Sequence, residues 1–275
     1  TGSALLAAAV RAASRAEGHG HACAPLDDPG ADASFDADAL AILRQHAWVG
    51  DGSTFTPFVL DTHRRFYLWR NWQHEERLAA AIRQRCTDRS LPISTDVLAA
   101  DLDALFAGMP AGSTDWQRAA VAAVPGTRLF VLTGGPGTGK TTTVLRMLLM
   151  LLRHAQACGL PARPSIALAA PTGKAAQRLA QAIAGGKAEL AKAHPVHKGR
   201  PSVVRDALDV DVARRAGPAV RGYGALLEHI PHADARTLHR LLGYRPQDNG
   251  FHHGPDHPLA ADIVVVDEAS MVDLA

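Results

Sequence analysis

The run Gly134-Gly135-Pro136-Gly137-Thr138-Gly139-Lys140-Thr141 constrains this chain more than any other eight residues. The pattern G-x-x-x-x-G-K-[ST], set between a strand and a helix, wraps backbone around a polyphosphate. Its surroundings fit: an apolar stretch at 128–133 precedes it and a helix-forming run at 142–153 follows. Several backbone N–H groups can approach phosphate closely only if Gly135, Gly137 and Gly139 carry no side chain, and the positive end of the next helix adds attraction. Lys140 is expected to reach the β and γ phosphates and the Thr141 hydroxyl to ligate Mg2+, with Pro136, Thr138 and Thr142 completing the cradle. An ordinary glycine-rich turn is the bland alternative, and the order strand, loop, helix argues against it.

Such a site needs an acid at the end of a neighbouring strand. The apolar run 263–266 ends in Asp267 and Glu268 and supplies one. Asp267 is expected to hold Mg2+, and Glu268 to orient and deprotonate an attacking water. Alone, a strand ending in Asp-Glu is more often a capped turn; beside the phosphate loop the catalytic reading prevails. Stretches 128–133, 165–170 and 263–266 are continuous apolar runs, as strands buried on both faces should be, and they alternate with helices. The expected class is therefore α/β, with a parallel sheet covered by helices.

The first 112 residues have a different grammar. Helices are expected at 4–15, 40–46, 72–86 and 94–106, and two short strands at 58–61 and 65–69 joined by a turn at 61–64. In the third helix Leu78 and Ile82 sit at helical spacing among charges. Two glycines and a proline in 107–113 mark a boundary, which gives a small mixed α+β domain at 1–112 and the nucleotide lobe at 113–275. Residues 185–224 lack periodicity and hold Lys187, Lys192, Lys198, Arg200 and Arg205, so they read as a basic insertion. Without interleaved aromatics a solvated loop is favoured there over a nucleic-acid contact.

Composition excludes several classes. With 29 basic and 27 acidic residues, bulk charge does not announce a nucleic-acid binder, and any such contact must be local. Cys23, Cys86 and Cys158 show no paired spacing, which argues against a disulfide framework or zinc ribbon and for a reducing cytoplasm. The most apolar stretch, 144–152, is interrupted by Arg146 and too short for a bilayer, so no membrane span is expected. No basic stretch precedes the first apolar run, which favours an alanine-rich helix over a signal peptide. Neither His19, His21 and Cys23 nor His252, His253 and His257 offer a convincing four-ligand metal set. The start without Met and the stop just after the acid motif read as a fragment.

Four separated segments resemble the superfamily 1 DNA helicases, and among them the alpha subunit of exodeoxyribonuclease V, the RecD family. They are Leu132 to Thr143 around the phosphate loop, Ala170-Pro171-Thr172-Gly173-Lys174-Ala175-Ala176, Thr237-Leu238-His239-Arg240-Leu241-Leu242-Gly243, and Val266-Asp267-Glu268-Ala269-Ser270-Met271-Val272-Asp273-Leu274. Gln117, in Asp115-Trp116-Gln117-Arg118, stands where that family keeps an adenine-reading glutamine. An amide offers an acceptor beside a donor and complements adenine N6 and N7; a solvated helix residue is the plain alternative. The resemblance implies a RecA-like first helicase lobe using ATP and Mg2+. It also implies a single DNA strand held by Thr172, Gly173, Lys174, Thr237 and His239. The plain alternatives are a solvated turn for Lys174, and an N-cap and a packed imidazole for Thr237 and His239.

The family further implies 5′ to 3′ movement on DNA ends in recombinational repair, RecB-like and RecC-like partner subunits, and a leading domain that docks on the RecC-like one. Tyr67, Trp69 and Trp72 fit such docking, although core packing suits them better. A motor of this type closes a second lobe with an arginine finger on the nucleotide, so the present residues alone are expected to bind ATP and hydrolyse it slowly if at all. A stand-alone RecD-like helicase, an ATP-regulated binding module and, more weakly, a kinase remain as alternatives.

Overall fold

The computed structural model describes residues 2–27, 35–87, 95–106, 115–158, 164–193, 223–231, 234–248 and 250–272. The chain divides into two compact units, one ending at Thr87 and one spanning Asp88–Val272.

In the first unit, helices α1 (Gly2–Gly18) and α2 (Ala37–Arg44) pack against a four-stranded sheet of β1 (Cys23–Pro25), β2 (Val49–Gly50), β3 (Phe58–Leu60) and β4 (Arg65–Leu68), ordered β1-β4-β3-β2. Leu6, Ala9 and Ala13 lie on one face of α1 and are buried with Leu40, Leu43, Leu60 and Phe66. The hairpin expected at 58–69 forms, with Val59 opposite Tyr67. Its turn is organised by the buried Asp61. One carboxylate oxygen accepts from the backbone N–H of His63 (2.9 Å) and Arg65 (2.8 Å), and the other from Arg65 Nε (2.7 Å). Those bonds hold Arg64 at a positive φ of 60°.

The aromatics weighed as a docking surface are mostly committed inside this unit. Tyr67 is fully buried, donates to Glu75 (3.2 Å), and meets Trp72 edge-on at 5.1 Å. Trp72 also covers Gly52, where an added Cβ would lie 2.5 Å from the indole. The exposed aromatics are instead Trp48 and Phe55. Helix α3 (Trp69–Thr87) forms as expected, yet Leu78 and Ile82 are exposed and the helix buries no residue fully.

The second unit begins with α4 (Thr95–Leu105) and α5 (Trp116–Ala123), followed by α6 (Lys140–Ala157), β5 (Ile166–Ala170), α7 (Gly173–Ala193) and α8 (Tyr223–His229). Next come β6 (Arg236–Thr237), α9 (Leu238–Leu242), a small hairpin of β7 (Tyr244–Arg245) and β8 (Gly250–Phe251), and β9 (Ile263–Val266) with a 3-10 turn at Ala269–Met271. Strands β6, β5 and β9 form a parallel sheet in that order, so the α/β class holds. The core centres on α6, whose Leu145, Leu148, Leu149 and Leu152 repeat at helical spacing and are 1% exposed or less.

Three expectations meet a different structure. Residues 128–133 form no ladder among the described residues, because a strand exists only beside a neighbour and β9 pairs with β5 alone. The segment still alternates, with Phe130 and Leu132 against the core and Leu129 and Val131 exposed. Helix α4, expected to close the leading domain, buries Leu102 and Leu105 with Phe106 in the core of the second unit. The start of the basic insertion is helical as far as Ala193: Leu190 is buried, and Lys187 donates to the carbonyl of Ile230, so this lysine packs instead of facing a solvated loop. Lys198, Arg200 and Arg205 lie outside the described residues.

A buried carboxylate ties three helices together. Asp101 on α4, 0% exposed, accepts from the Tyr223 hydroxyl of α8 (2.9 Å) and from Arg153 Nε of α6 (3.2 Å). Burial beside that carboxylate pushes the Tyr223 phenol far above its ordinary range. Asp101→Ala is expected to destabilise this unit by about 3 kcal/mol, since Arg153 is left largely desolvated without its partner, against about 1 kcal/mol for Tyr223→Phe. Urea denaturation checks this, and unchanged midpoints would mean that the network adds no net stability.

Candidate active site

The end of α6 is built to receive an anion. Gly139 precedes the helix at φ 77°, and no side chain caps it, so the orphan N–H groups of the first turn face outward with the positive end of the helix dipole. Gly137 takes φ 73°, and an added Cβ there would meet nothing, so backbone conformation and open space, not crowding, call for glycine. At Gly139 the demand is different, because an added Cβ would stand 2.8 Å from Gln117 Nε2.

Lys140 folds back over the loop and donates to the carbonyls of Gly134 and Gly135, each at 2.7 Å. These are neutral acceptors, and a phosphate would offer the ammonium stronger, charge-assisted bonds in their place. Thr138 Oγ1 donates to Gly135 O at 2.9 Å and braces the turn.

Gln117 is tied to this loop. Asp115 caps α5 by accepting from the N–H groups of Gln117 (3.1 Å) and Arg118 (3.0 Å), which fixes where the glutamine begins. Its Nε2 then donates to Thr138 O (3.0 Å), and its Oε1 accepts from Arg146 Nη1 (3.2 Å). A freely solvated helix residue is therefore not what the structure has. Arg146 places its guanidinium carbon over the Phe106 ring, 4.5 Å from the centroid, and burial lowers its pKa, partly countered by Asp115. In the sequence Arg146 stands out only as an interruption in an apolar run; a cation on the inner side of an apolar helix was the available signal.

The other expected residues gather at the carboxyl ends of the parallel strands, where open α/β sheets bind ligands. The register sets Ala170 of β5 opposite Thr237 of β6, and Ala169 opposite Val266 of β9. Thr172 and Asp267 therefore follow directly from adjacent strand ends, with Thr237 at the third. Asp267 is anchored by its N–H to Ala169 O (2.9 Å), and its Oδ1 accepts from the Glu268 N–H (2.9 Å). Glu268 sits in the left-handed region at φ 51°, ψ 39°, which costs a residue with a Cβ about 1 kcal/mol.

Thr172 and Thr237 both cap helices: Thr172 Oγ1 accepts from Ala175 N (3.2 Å) and Thr237 Oγ1 from Arg240 N (3.2 Å). Capping uses each hydroxyl as acceptor and leaves its proton to donate. Gly173 and Lys174 are exposed, and an added Cβ on Gly173 would meet nothing. His239 is exposed within a trio of rings, 5.3 Å from Tyr244 and 5.8 Å from Phe251, two aromatics that the sequence reading missed. Their signal was their closeness to the His239 motif, which a short hairpin folds back onto it. Among the described residues no group of acids, histidines and cysteines could hold a metal by itself, and no helix is long and apolar enough to cross a membrane.

Comparison with known proteins adds three relatives and a family. A model of the AAA domain matches residues 117–275. The RecBCD enzyme subunit RecD of Mycobacterium tuberculosis (strain ATCC 25618 / H37Rv) is 38% identical over 257 residues, covering 93% of this chain and 35% of that protein. The corresponding subunit of Haemophilus influenzae is 35% identical over 209 residues, 76% of this chain and 28% of its own length. The ATP-dependent RecD2 DNA helicase of Deinococcus radiodurans is 32% identical over 161 residues, 58% of this chain and 14% of that protein. The chain thus spans about a third of the length of the RecD subunits it matches.

The backbone at Glu268 can be read independently of chemistry. Glu268→Gly, which relaxes a positive φ, is expected to be more stable than Glu268→Ala, which keeps it, by about 0.5–1 kcal/mol. Thermal or urea denaturation of the two variants decides it, and equal stability would mean that the backbone is relaxed in solution.

Proposed function

The chain belongs to the AAA-domain family matched over 117–275 and is RecD-like within the superfamily 1 helicases; on that footing we propose that it is the ATP-binding part of a DNA helicase subunit of a RecBCD-like complex. The reading extends to 5′ to 3′ movement along single-stranded DNA at broken ends, with RecB-like and RecC-like partners. One observation carries it: the uncapped phosphate-loop helix, the Asp267–Glu268 pair and the Thr172–Lys174 turn all belong to one parallel α/β unit, the last two at the carboxyl ends of adjacent strands. A kinase or a nucleotide switch has use for the first two and none for the third.

The residues present fit a nucleoside triphosphate and Mg2+. Open space at Gly137 and free helix N–H groups suit the phosphates, and the Thr141 hydroxyl and Asp267 carboxylate are hard oxygen donors suited to Mg2+. Bound there, Mg2+ supplies positive charge to the phosphate oxygens. Lys140 leaves the Gly134 and Gly135 carbonyls for the β and γ phosphates, and the loop amides hold the chain of phosphates in line. Glu268 then orients a water and takes its proton. Gln117 reads the base, with ATP as the nucleotide it selects.

Thr172, Gly173 and Lys174 contact DNA phosphate without reading sequence, and Thr237 and His239 extend that contact on the next strand end. Opening and closing against a second lobe moves the strand across these residues. The first unit serves as the docking module, with exposed Trp48 and Phe55 in place of the buried Tyr67.

ATPase activity of the full-length protein, measured with and without single-stranded DNA, tests the proposal. Strong stimulation by DNA that disappears in Lys140→Ala is expected. Activity indifferent to DNA in the presence of partner subunits would instead favour an ATP-regulated binding module. Lys174→Ala should keep basal hydrolysis, raise the DNA concentration for half-stimulation, and reduce the salt slope of DNA binding by about 0.7.

A further inference from the structure

We propose that Arg146 is a positioning residue for the Gln117 amide and thereby sets the preference for adenine over guanine nucleotides. The inference rests on the reading of Gln117 as the base-contacting group and asks what holds its amide in one orientation.

A primary amide has two acceptor lone pairs and two N–H donors. In the structure Arg146 Nη1 occupies one lone pair of Oε1, at 3.2 Å, and Thr138 O takes one N–H of Nε2, at 3.0 Å. One lone pair and one N–H remain, which is the pattern that adenine N6–H and N7 require. Both protein bonds name the same orientation, because a guanidinium can only donate and a carbonyl can only accept. Rotated by 180°, the amide would set N–H against N–H and oxygen against oxygen. That rotated amide is also the one that turns its NH2 toward guanine O6. Arg146 and Thr138 O thus exclude guanine by excluding the flip.

The surroundings of Arg146 match this task. Its guanidinium carbon sits over the Phe106 ring, 4.5 Å from the centroid, which restrains where Nη1 can point, and its buried Nε has no hydrogen-bond partner among the described residues. A group placed for its own hydrogen bonding would not leave Nε unmatched in a buried position. Lysine would keep the charge and lose the planar, several-donor group held over the ring, so the two cations are not equivalent here.

The test is direct binding of ATP, GTP and inorganic tripolyphosphate, which lacks a base, to the full-length protein and its Arg146→Met, Arg146→Lys, Gln117→Ala and Arg146→Met/Gln117→Ala variants. The expected result is that Arg146→Met reduces the ratio of GTP to ATP dissociation constants by about tenfold, as for one lost discriminating hydrogen bond. Arg146→Lys should fall between it and the parent, and tripolyphosphate binding should stay unchanged. In the double variant the Arg146 change should add nothing to Gln117→Ala. If Gln117→Ala collapses the ratio and Arg146→Met leaves it intact, the proposal is overturned. It is equally overturned if Arg146→Met weakens all three ligands alike, which would make the arginine a packing residue of α6. If Gln117→Ala itself leaves the ratio unchanged, the base-reading assignment falls, and that outcome is distinct from a failure at Arg146.

Discussion

Everything at the site depends on a helix end that must stay uncapped. An α-helix leaves its first N–H groups without partners, and a protein normally satisfies them with a side chain. Here α6 begins after a glycine with no side-chain cap, and the helix is held in place from its other faces, by four leucines that are almost completely buried and by Arg153 on Asp101. Burying the four leucines contributes on the order of 8 kcal/mol, against about 1 kcal/mol for a side-chain cap. The core therefore fixes the direction of α6 and leaves the N–H groups of its first turn open to an anion.

The loop in front of the helix follows the same logic at the scale of single peptides. The carbonyls of Gly134 and Thr138 are turned toward Lys140 and Gln117. A trans peptide is planar, with its C=O and N–H pointing to opposite sides, so each carbonyl turned to a side chain turns the next residue's N–H, those of Gly135 and Gly139, the other way. Gly135 O is also turned to Lys140, but the next residue is Pro136 and has no N–H to present. The two side chains that would contact a nucleotide thus also shape the backbone that would hold its phosphates.

What was legible in the sequence was local. The phosphate loop, the Asp267–Glu268 pair, the Asp61 turn and the N-cap at Thr237 each depend on residues within a few positions of one another, and all appear where expected. What was not legible depended on neighbours distant in the chain. Residues 128–133 have a strand's alternation but join no ladder among the described residues, while Leu78 and Ile82 have helical spacing and stay about half exposed. Lys187 looked like part of a solvated basic loop and is bound to a carbonyl 43 residues away. Arg146 carries the same lesson, since its meaning lies in Phe106 and Gln117, 29 residues or more upstream.

Glu268 shows how the local and the distant combine. Its left-handed backbone is a cost that no local preference explains, because glutamate gains nothing there. The cost is carried by the ladder: Asp267 is locked by its N–H to Ala169, and its own carboxylate then captures the Glu268 N–H, which turns the chain sharply at the end of β9. A relaxed backbone would continue the strand and direct the two carboxylates to opposite faces of the sheet. The turn breaks that alternation, so that two consecutive acids can serve one site at the strand end. Strain at this position is thus the geometric requirement for placing the proposed metal ligand and the proposed base side by side in sequence.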